Sequence, residues 1–360
     1  MKISVSKSNL VNGIRQVLNV VSPRTTLPVL NNVLIDATEG TLTLTTTDLE
    51  VCLETDVEAR ITEEGATTVP AKKFAQIAGA LPEGDVTLET GDDNYTTLSC
   101  EKSFFKIVGL DAREFPRDTM MTEDWGFSIP ANEFRKSLAK VSYSTSTDET
   151  RHVLNGVLLS LRSGVLTVVG TDGRRLALVE RSLDDESIPD GDVILPAKVV
   201  AELEKSAHSD DEMHVKLSES RVAFSWPGTE ITSKLIEGTY PNYRQVIPAS
   251  FNHSVAVARD IFSSVLNRVS MVVSESSSAV KFRLENAIMN VSATSAEFGE
   301  AKEPIDISYD GEPFEIAFNP HYFSDPLRHL ECDQLIMQFN DEYSPVSLSG
   351  DEGFLYVVMP

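Results

Sequence analysis

The sequence predicts an α+β protein made of three copies of one domain, each with two helices and about eight strands. Three observations carry this. Val29-Leu30-Asn31-Asn32 followed by Thr46-Thr47-Asp48 returns as Val153-Leu154-Asn155-Gly156 followed by Gly170-Thr171-Asp172-Gly173, and Asp48 and Asp172 stand 124 positions apart. Pro70-Ala71-Lys72 returns as Pro196-Ala197-Lys198 and, more faintly, as Asn319-Pro320-His321. Glu114-Phe115-Pro116 is echoed by Thr239-Tyr240-Pro241. A period near 124 residues is the size of a domain rather than of a solenoid repeat.

In the first copy, Leu10, Ile14, Val17, Leu18 and Val21 lie on one helical face, bounded by Pro23 and Pro28. Alternation then predicts strands over 30–37, 41–46 and 51–61. Pro70 marks a helix start, and Pro82-Glu83-Gly84 turns the chain into strands over 86–89, 95–100 and 104–110. The second copy repeats the order. A strand at 127–129 leads to a helix over 130–142 with Phe134, Leu138 and Val141 on one face, then strands over 153–161, 165–170 and 176–181. A helix follows Pro196, and strands over 215–217, 222–225 and 231–235 close the copy. The third has a helix over 259–271, strands over 280–284, 287–293, 314–318 and 354–359, and Ser295 where Asp48 and Asp172 stand in the other two. The expected domains are 1–122, 123–249 and 250–360.

A hydrophobic content of 41% over 360 residues supports packed cores. No apolar run reaches the roughly 18 residues of a membrane span, and the start of the chain alternates like a strand, unlike a signal peptide. Cys52, Cys100 and Cys332 are odd in number and far apart, which fits a reducing cytoplasm and neither a disulfide framework nor a zinc cluster. The formal charge of −24 argues against a nucleic-acid partner until its distribution is read. The six helical segments together carry +7 and everything else −31. Basic helices within an acidic remainder fit one surface that touches phosphates loosely.

No phosphate loop, nucleophile elbow, paired zinc ligands or cofactor motif occurs, so no catalytic residue, metal or cofactor is expected. His208 and His214 flank an acidic stretch that reads as a solvated loop. A hydrolase using Asp48 and Asp172 is the rival reading, but Ser295 breaks the pattern and no His or Lys is placed to assist. These acids read as turn residues.

Several motifs in fixed order are similar to the bacterial sliding clamps, the beta subunits of replicative DNA polymerase III. They are Thr26-Leu27-Pro28-Val29-Leu30, Val69-Pro70-Ala71-Lys72-Lys73-Phe74, Leu154-Asn155-Gly156, Thr171-Asp172-Gly173-Arg174-Arg175-Leu176, Thr232-Ser233-Lys234-Leu235, Tyr240-Pro241-Asn242-Tyr243 and Tyr356-Val357-Val358-Met359-Pro360. The resemblance spans the chain. It implies the DNA clamp fold, with two helices and two sheets in each domain and a head-to-tail homodimer forming a six-domain ring around double-stranded DNA, without sequence preference. The implied function is that of a non-catalytic processivity factor. Its partners would be the polymerase alpha subunit, the clamp loader, and other polymerases and repair proteins carrying short linear motifs.

The resemblance also places sites. A peptide-binding pocket maps to Leu154, Thr171, Gly173, Arg174, Arg175, Leu176, Pro241, Val246, Asn319, Tyr322, Val357, Met359 and Pro360. DNA contacts map to Arg24, Lys72, Lys73, Arg151 and Lys198. The dimer seam maps to Phe105, Ile107, Met271 and Val272, with Lys73 facing Glu300 and Glu303. Gln245 stands where many relatives have Arg, and His152 and Val153 where aromatic residues are common.

Overall fold

The structure is a computed structural model, described here for residues 1–21, 27–91, 94–117, 124–183, 185, 188–274 and 279–360. The first copy opens with β1 (Lys2–Ser6), α1 (Lys7–Val17), β2 (Asn32–Thr38), β3 (Thr41–Thr47) and β4 (Val51–Val57). It continues with β5 (Arg60–Glu63), β6 (Gly65–Pro70), α2 (Ala71–Ala80), β7 (Asp85–Thr90), β8 (Tyr95–Cys100) and β9 (Ser103–Val108). The second copy opens with β10 (Trp125–Pro130), α3 (Ala131–Ala139), β11 (Gly156–Arg162), β12 (Val165–Thr171) and β13 (Arg175–Ser182). It closes with β14 (Gly191–Pro196), α4 (Ala197–Ser206), β15 (Glu212–Leu217), β16 (Arg221–Trp226) and β17 (Thr229–Lys234). The third opens with β18 (His253–Ala258), α5 (Arg259–Val269), β19 (Val280–Glu285), β20 (Ile288–Ser295) and β21 (Gly299–Asp306). It closes with β22 (Phe314–Phe318), α6 (His321–His329), β23 (Gln334–Phe339), β24 (Val346–Ser349) and β25 (Phe354–Val358).

The order repeats as expected, with local differences. The strand expected over 51–61 breaks into β4 and β5. Those expected from Leu30 and Val153 start later, because Pro28–Asn31 and Glu149–Leu154 form 3₁₀ turns. β6 and β14, read from sequence as helix starts, are full strands that run directly into α2 and α4.

The chain divides into two compact units, 1–135 with 198–235, and 136–197 with 236–360. The first unit holds a five-stranded sheet, β5-β1-β7-β8-β9, and an eight-stranded sheet, β10-β15-β16-β17-β4-β3-β2-β6. The second holds an eight-stranded sheet, β14-β11-β12-β13-β25-β24-β23-β18, and a four-stranded sheet, β21-β20-β19-β22. Each eight-stranded sheet therefore joins two copies edge to edge. β17 pairs antiparallel with β4, placing Ser233 opposite Val51 and Ile231 opposite Leu53. β25 pairs antiparallel with β13, placing Val358 opposite Arg175 and Val357 opposite Leu176.

Helices pack on these sheets through the faces read from the sequence. α1 buries Leu10, Gly13, Ile14 and Val17, and Ser6 caps it by accepting from the Asn9 amide at 3.1 Å. A Cβ at Gly13 would lie 2.4 Å from the Val57 side chain, so only glycine lets α1 approach β4 this closely. In the third copy Phe262, Phe282 and Phe323 are fully buried with their rings edge to face, 5.1 to 5.8 Å between centroids. Truncating any of them should cost about 3–5 kcal/mol.

The first seam sets two like charges opposite each other, Glu54 on β4 and Glu230 on β17. Burial, and then repulsion by Glu230, raise the Glu54 carboxyl above its ordinary value. An acid with a raised folded pKa destabilises the fold as pH climbs from the unfolded value through the folded one, and has no effect where both states are protonated. Glu54→Gln should therefore stabilise the first unit by about 0.2–1 kcal/mol at pH 7. The gain should vanish near pH 4 in thermal melts at the two pH values, and an equal gain at both would contradict the assignment.

Candidate functional site

The second seam carries the only turn in which the repeated motif keeps both Asp-Gly and the two arginines. Asp172 Oδ1 accepts from the backbone amides of Arg174 and Arg175 at 2.9 and 3.0 Å. Asp48 does the same for Glu50 and Val51 at 3.0 and 2.8 Å, and Ser295 Oγ for Glu297 and Phe298 at 3.2 and 3.4 Å. All three are turn-forming side chains, as expected. Gly173 has φ +86°, which glycine adopts without strain. Leu49 occupies the same place in the first copy with φ +76°.

Arg175 leaves this turn inward. Its guanidinium donates to Asp172 at 3.1 Å, to Asp325 on α6 at 2.6 Å and to the Tyr143 carbonyl at 2.6 Å. It also stacks 5.0 Å from the Tyr322 ring centroid. Burial opposes its charge, but Asp325 and Asp172 outweigh that and hold it above the ordinary guanidinium range. Arg174 is exposed instead, with the Tyr322 hydroxyl as its partner. Arg175 thus holds the turn against α6, while Arg174 is left at the surface.

Beside the turn, the outer face of the joined sheet is apolar. Leu158, Val169, Leu176, Leu178, Ile194, Tyr243 and Val357 form one buried cluster, with Val153, Ile236, Tyr240, Ile247 and Leu355 packed against it. Met359 follows β25, donates its amide to the Arg174 carbonyl at 2.9 Å, and is 42% exposed. Val246, in the 3₁₀ turn Tyr243–Val246, is 49% exposed. The expected pocket residues therefore divide by depth. Leu176, Val357 and Leu154 are buried, while Met359, Val246, Pro241, Gly173, Arg174 and Pro360 are exposed. Thr171 and Asn319 shape backbone, Thr171 Oγ1 donating to the Arg175 carbonyl at 2.6 Å and Asn319 Oδ1 accepting from the His321 amide at 3.0 Å. Tyr322 lies between Arg174 and Arg175.

The corresponding face at the first seam is polar. Leu178 opposite Leu355 at the second seam is replaced by Glu54 opposite Glu230 at the first. Among the described residues, its apolar cluster has Val29, Leu30, Leu34 and Phe115 as buried members. The motif repeats, but the groove does not.

Other expected residues are more scattered. Arg24 lies outside the described residues. Lys72 and Lys73 are exposed on the first turn of α2, Lys73 donating to Gln76 at 2.9 Å. Arg151 is exposed beside the second turn and donates to the Asp172 carbonyl at 3.2 Å. Lys198, expected to meet phosphate, is paired with Asp48. Burial raises the Asp48 carboxyl, but Lys198 and the two turn amides outweigh it, leaving the carboxyl below its ordinary range.

Of the expected seam residues, Met271 is 76% and Phe105 38% exposed, Val272 is half-buried and Glu300 is exposed. Ile107 is 6% exposed and faces inward opposite Thr96 in its own copy. Glu303 accepts two hydrogen bonds of 2.7 and 2.8 Å from Arg268. Phe104, Val108 and Phe298, which the sequence reading passed over, are 65%, 58% and 57% exposed. For Phe104 and Val108 the signal was alternation along the edge strand β9; Phe298 lies in the turn between β20 and β21.

No helix is long and apolar enough to cross a membrane, and no cluster of three or more potential metal ligands occurs, among the described residues. Three repeated domains sharing sheets, with an apolar groove at one seam, define a clamp-type binding protein. Residues 1–120, 128–242 and 244–360 match the N-terminal, central and C-terminal domains of the DNA polymerase III beta subunit. The chain is 32% identical over 360 residues to the beta sliding clamp of Chlamydia muridarum, covering 100% of this chain and 98% of that one. It superposes on the DNA polymerase III beta subunit of Pseudomonas aeruginosa with a TM-score of 0.94 at 29% identity, covering 100% and 99% of the two chains. Against a Bartonella birtlesii sliding clamp bound to griselimycin the TM-score is 0.93 at 31% identity, with the same coverage. The chain belongs to the DNA polymerase III beta subunit family, and it is a non-catalytic processivity factor, a sliding clamp.

The depth of each groove residue separates stability from recognition. Leu176→Ala should lower stability by about 2–5 kcal/mol through the cavity it leaves. Met359→Ala and Arg174→Ala should stay within about 0.5 kcal/mol of wild type in denaturant titrations. A large loss for Met359→Ala would make that side chain core.

Proposed function

We propose that the groove beside Arg174 and Met359 captures short peptide segments of replication and repair proteins, among them the polymerase alpha subunit, the clamp loader and other polymerases. The observation that carries this is the pairing of an exposed apolar rim with a buried apolar floor next to an unburied guanidinium. A peptide with apolar anchors and an amide or acidic group meets both demands there. Leu154, Thr171, Gly173, Arg175, Leu176, Pro241, Val246, Asn319, Tyr322, Val357 and Pro360 shape or support it.

The clamp works, in this reading, as a homodimeric ring in the cytoplasm that encircles duplex DNA. The division into 1–122, 123–249 and 250–360 supplies three domains per chain. Head-to-tail contacts that close make rings. The basic residues Arg24, Lys72, Lys73 and Arg151 meet phosphates loosely, so DNA can slide. Lys198, which pairs with Asp48 at the first seam, belongs to the same basic set. Linkage, rather than affinity, then retains the polymerase.

The test is fluorescence titration of a labelled peptide carrying a glutamine followed by leucine and phenylalanine anchors. Met359→Ala should weaken binding by about thirtyfold, on the order of 2 kcal/mol, with the melting temperature unchanged. Unaltered affinity would place the partner site elsewhere. Retention on circular but not linearised DNA checks the ring, and it should persist at salt concentrations that abolish the loose phosphate contacts.

A further inference from the structure

The turn at the second seam is tied to α6 by contacts that the sequence of the other two copies does not permit. The residues two and three beyond the turn side chain are Arg174 and Arg175 here, Glu50 and Val51 in the first copy, and Glu297 and Phe298 in the third. Arg175 and Leu176 are consecutive on β13 and leave it on opposite faces. Leu176 enters the groove floor, so the Arg175 guanidinium lies across the sheet from that floor, where α6 receives it.

Tyr322 and Asp325 are three residues apart on α6 and share a face. The Arg175 guanidinium occupies that face, 5.0 Å from the Tyr322 ring centroid and 2.6 Å from Asp325 Oδ2. The side chains of Arg175 and Asp325 are 11% and 23% exposed, so the pair is largely shielded from water. Tyr322 is held at two further points. Its carbonyl accepts from the Tyr356 hydroxyl at 2.6 Å, and its own hydroxyl accepts from Arg174. A line of contacts therefore runs from Asp325 through Arg175 and Tyr322 to the exposed guanidinium on the groove rim. That guanidinium has five N–H donors in a rigid fork, more than one hydroxyl oxygen can take.

We propose that Asp325 is a positioning residue for peptide recognition: through Arg175 and Tyr322 it fixes the direction in which Arg174 meets the amide or acidic group of the bound segment. This deepens the groove reading above and rests on it. Asp172 does not do this work, because both of its oxygens are taken within the turn. Oδ1 accepts from the Arg174 and Arg175 amides, and Oδ2 from Arg175 Nε. Without the Asp325 charge, Arg175 keeps Asp172 and the Tyr143 carbonyl as acceptors. The turn and the apolar floor then survive, while Tyr322 and Arg174 lose their fixed placement. Recognition of the polar group is separated in this way from capture of the apolar anchors.

The test is fluorescence titration of the full chain with two labelled peptides. One carries glutamine followed by leucine and phenylalanine anchors, and the other has alanine in place of the glutamine. Asp325→Asn keeps the size of the side chain and removes its charge. It should weaken the glutamine peptide about fivefold and the alanine peptide by less than about twofold. Tyr322→Phe, which removes only the hydroxyl, should reproduce that split. In an Arg174→Ala background Asp325→Asn should change neither affinity by more than about twofold, because the two residues act along one line of contacts. Thermal melts show that each variant is folded. A wild type that binds neither peptide would overturn the groove reading itself. Equal binding of both peptides by the wild type, equal losses for both in the variants, an unchanged affinity for the glutamine peptide, or losses that add to those of Arg174→Ala would each overturn the positioning role and leave the groove standing.

Discussion

Backbone pairing across copies is the constraint on which the rest of this structure depends. A sheet edge offers unpaired amides and carbonyls to any strand that arrives. Here two of those edges are consumed inside the chain, β4 by β17 and β13 by β25, so the domains share sheets instead of touching through side chains. The middle copy is divided between the two compact units because its seams are continuous with its own ladders. The same economy positions the groove. Met359 is held by its amide to the Arg174 carbonyl, one residue beyond the Arg175–Val358 pair that closes β13 on β25.

Given equivalent seams, chemistry decides which one binds. At the second, Leu178 meets Leu355 over a floor that includes Leu176 and Val357. At the first, Glu54 meets Glu230, and Lys198 locks the turn by taking Asp48. Burial and mutual repulsion at the glutamate pair oppose any apolar peptide there. The difference between the two seams is therefore a consequence of four side chains on matching backbone. Deeper in the second unit, Lys140 and Asp351 form a buried ion pair, and Asp351 also accepts from the Glu331 and Cys332 amides, which ties α3 to the third copy. A charge left there without its partner would be strongly destabilising.

Much of this was legible in the sequence, and the reasons for the remainder are physical. The repeats, the helix faces and the Asp48 and Asp172 turns were readable because each depends on local spacing. β21 was not readable: Gly299-Glu300-Ala301-Lys302-Glu303-Pro304 alternates charge rather than hydrophobicity, and only Ile305 is buried along it. The start of β11 was displaced because Val153-Leu154 looks like strand yet packs as a 3₁₀ turn. Within the groove, the resemblance supplied the residues but not their depth. Leu176 and Met359 are both apolar, and only the sheet pairing shows that one is floor and the other rim. Nor can sequence show that Ile107 faces Thr96, or that Arg268 holds Glu303, within the single chain.

The most direct measurement of the central claim is amide hydrogen exchange along β9 and β21, which end the five-stranded and four-stranded sheets, followed as the protein is concentrated. If chains meet as copies do within the chain, amides of β9 and β21 should gain protection together as dimers form, while those of β4 and β17 stay equally protected throughout. Edges that keep exchanging at the monomer's rate in a fully dimeric sample would show that the chains meet by some other surface.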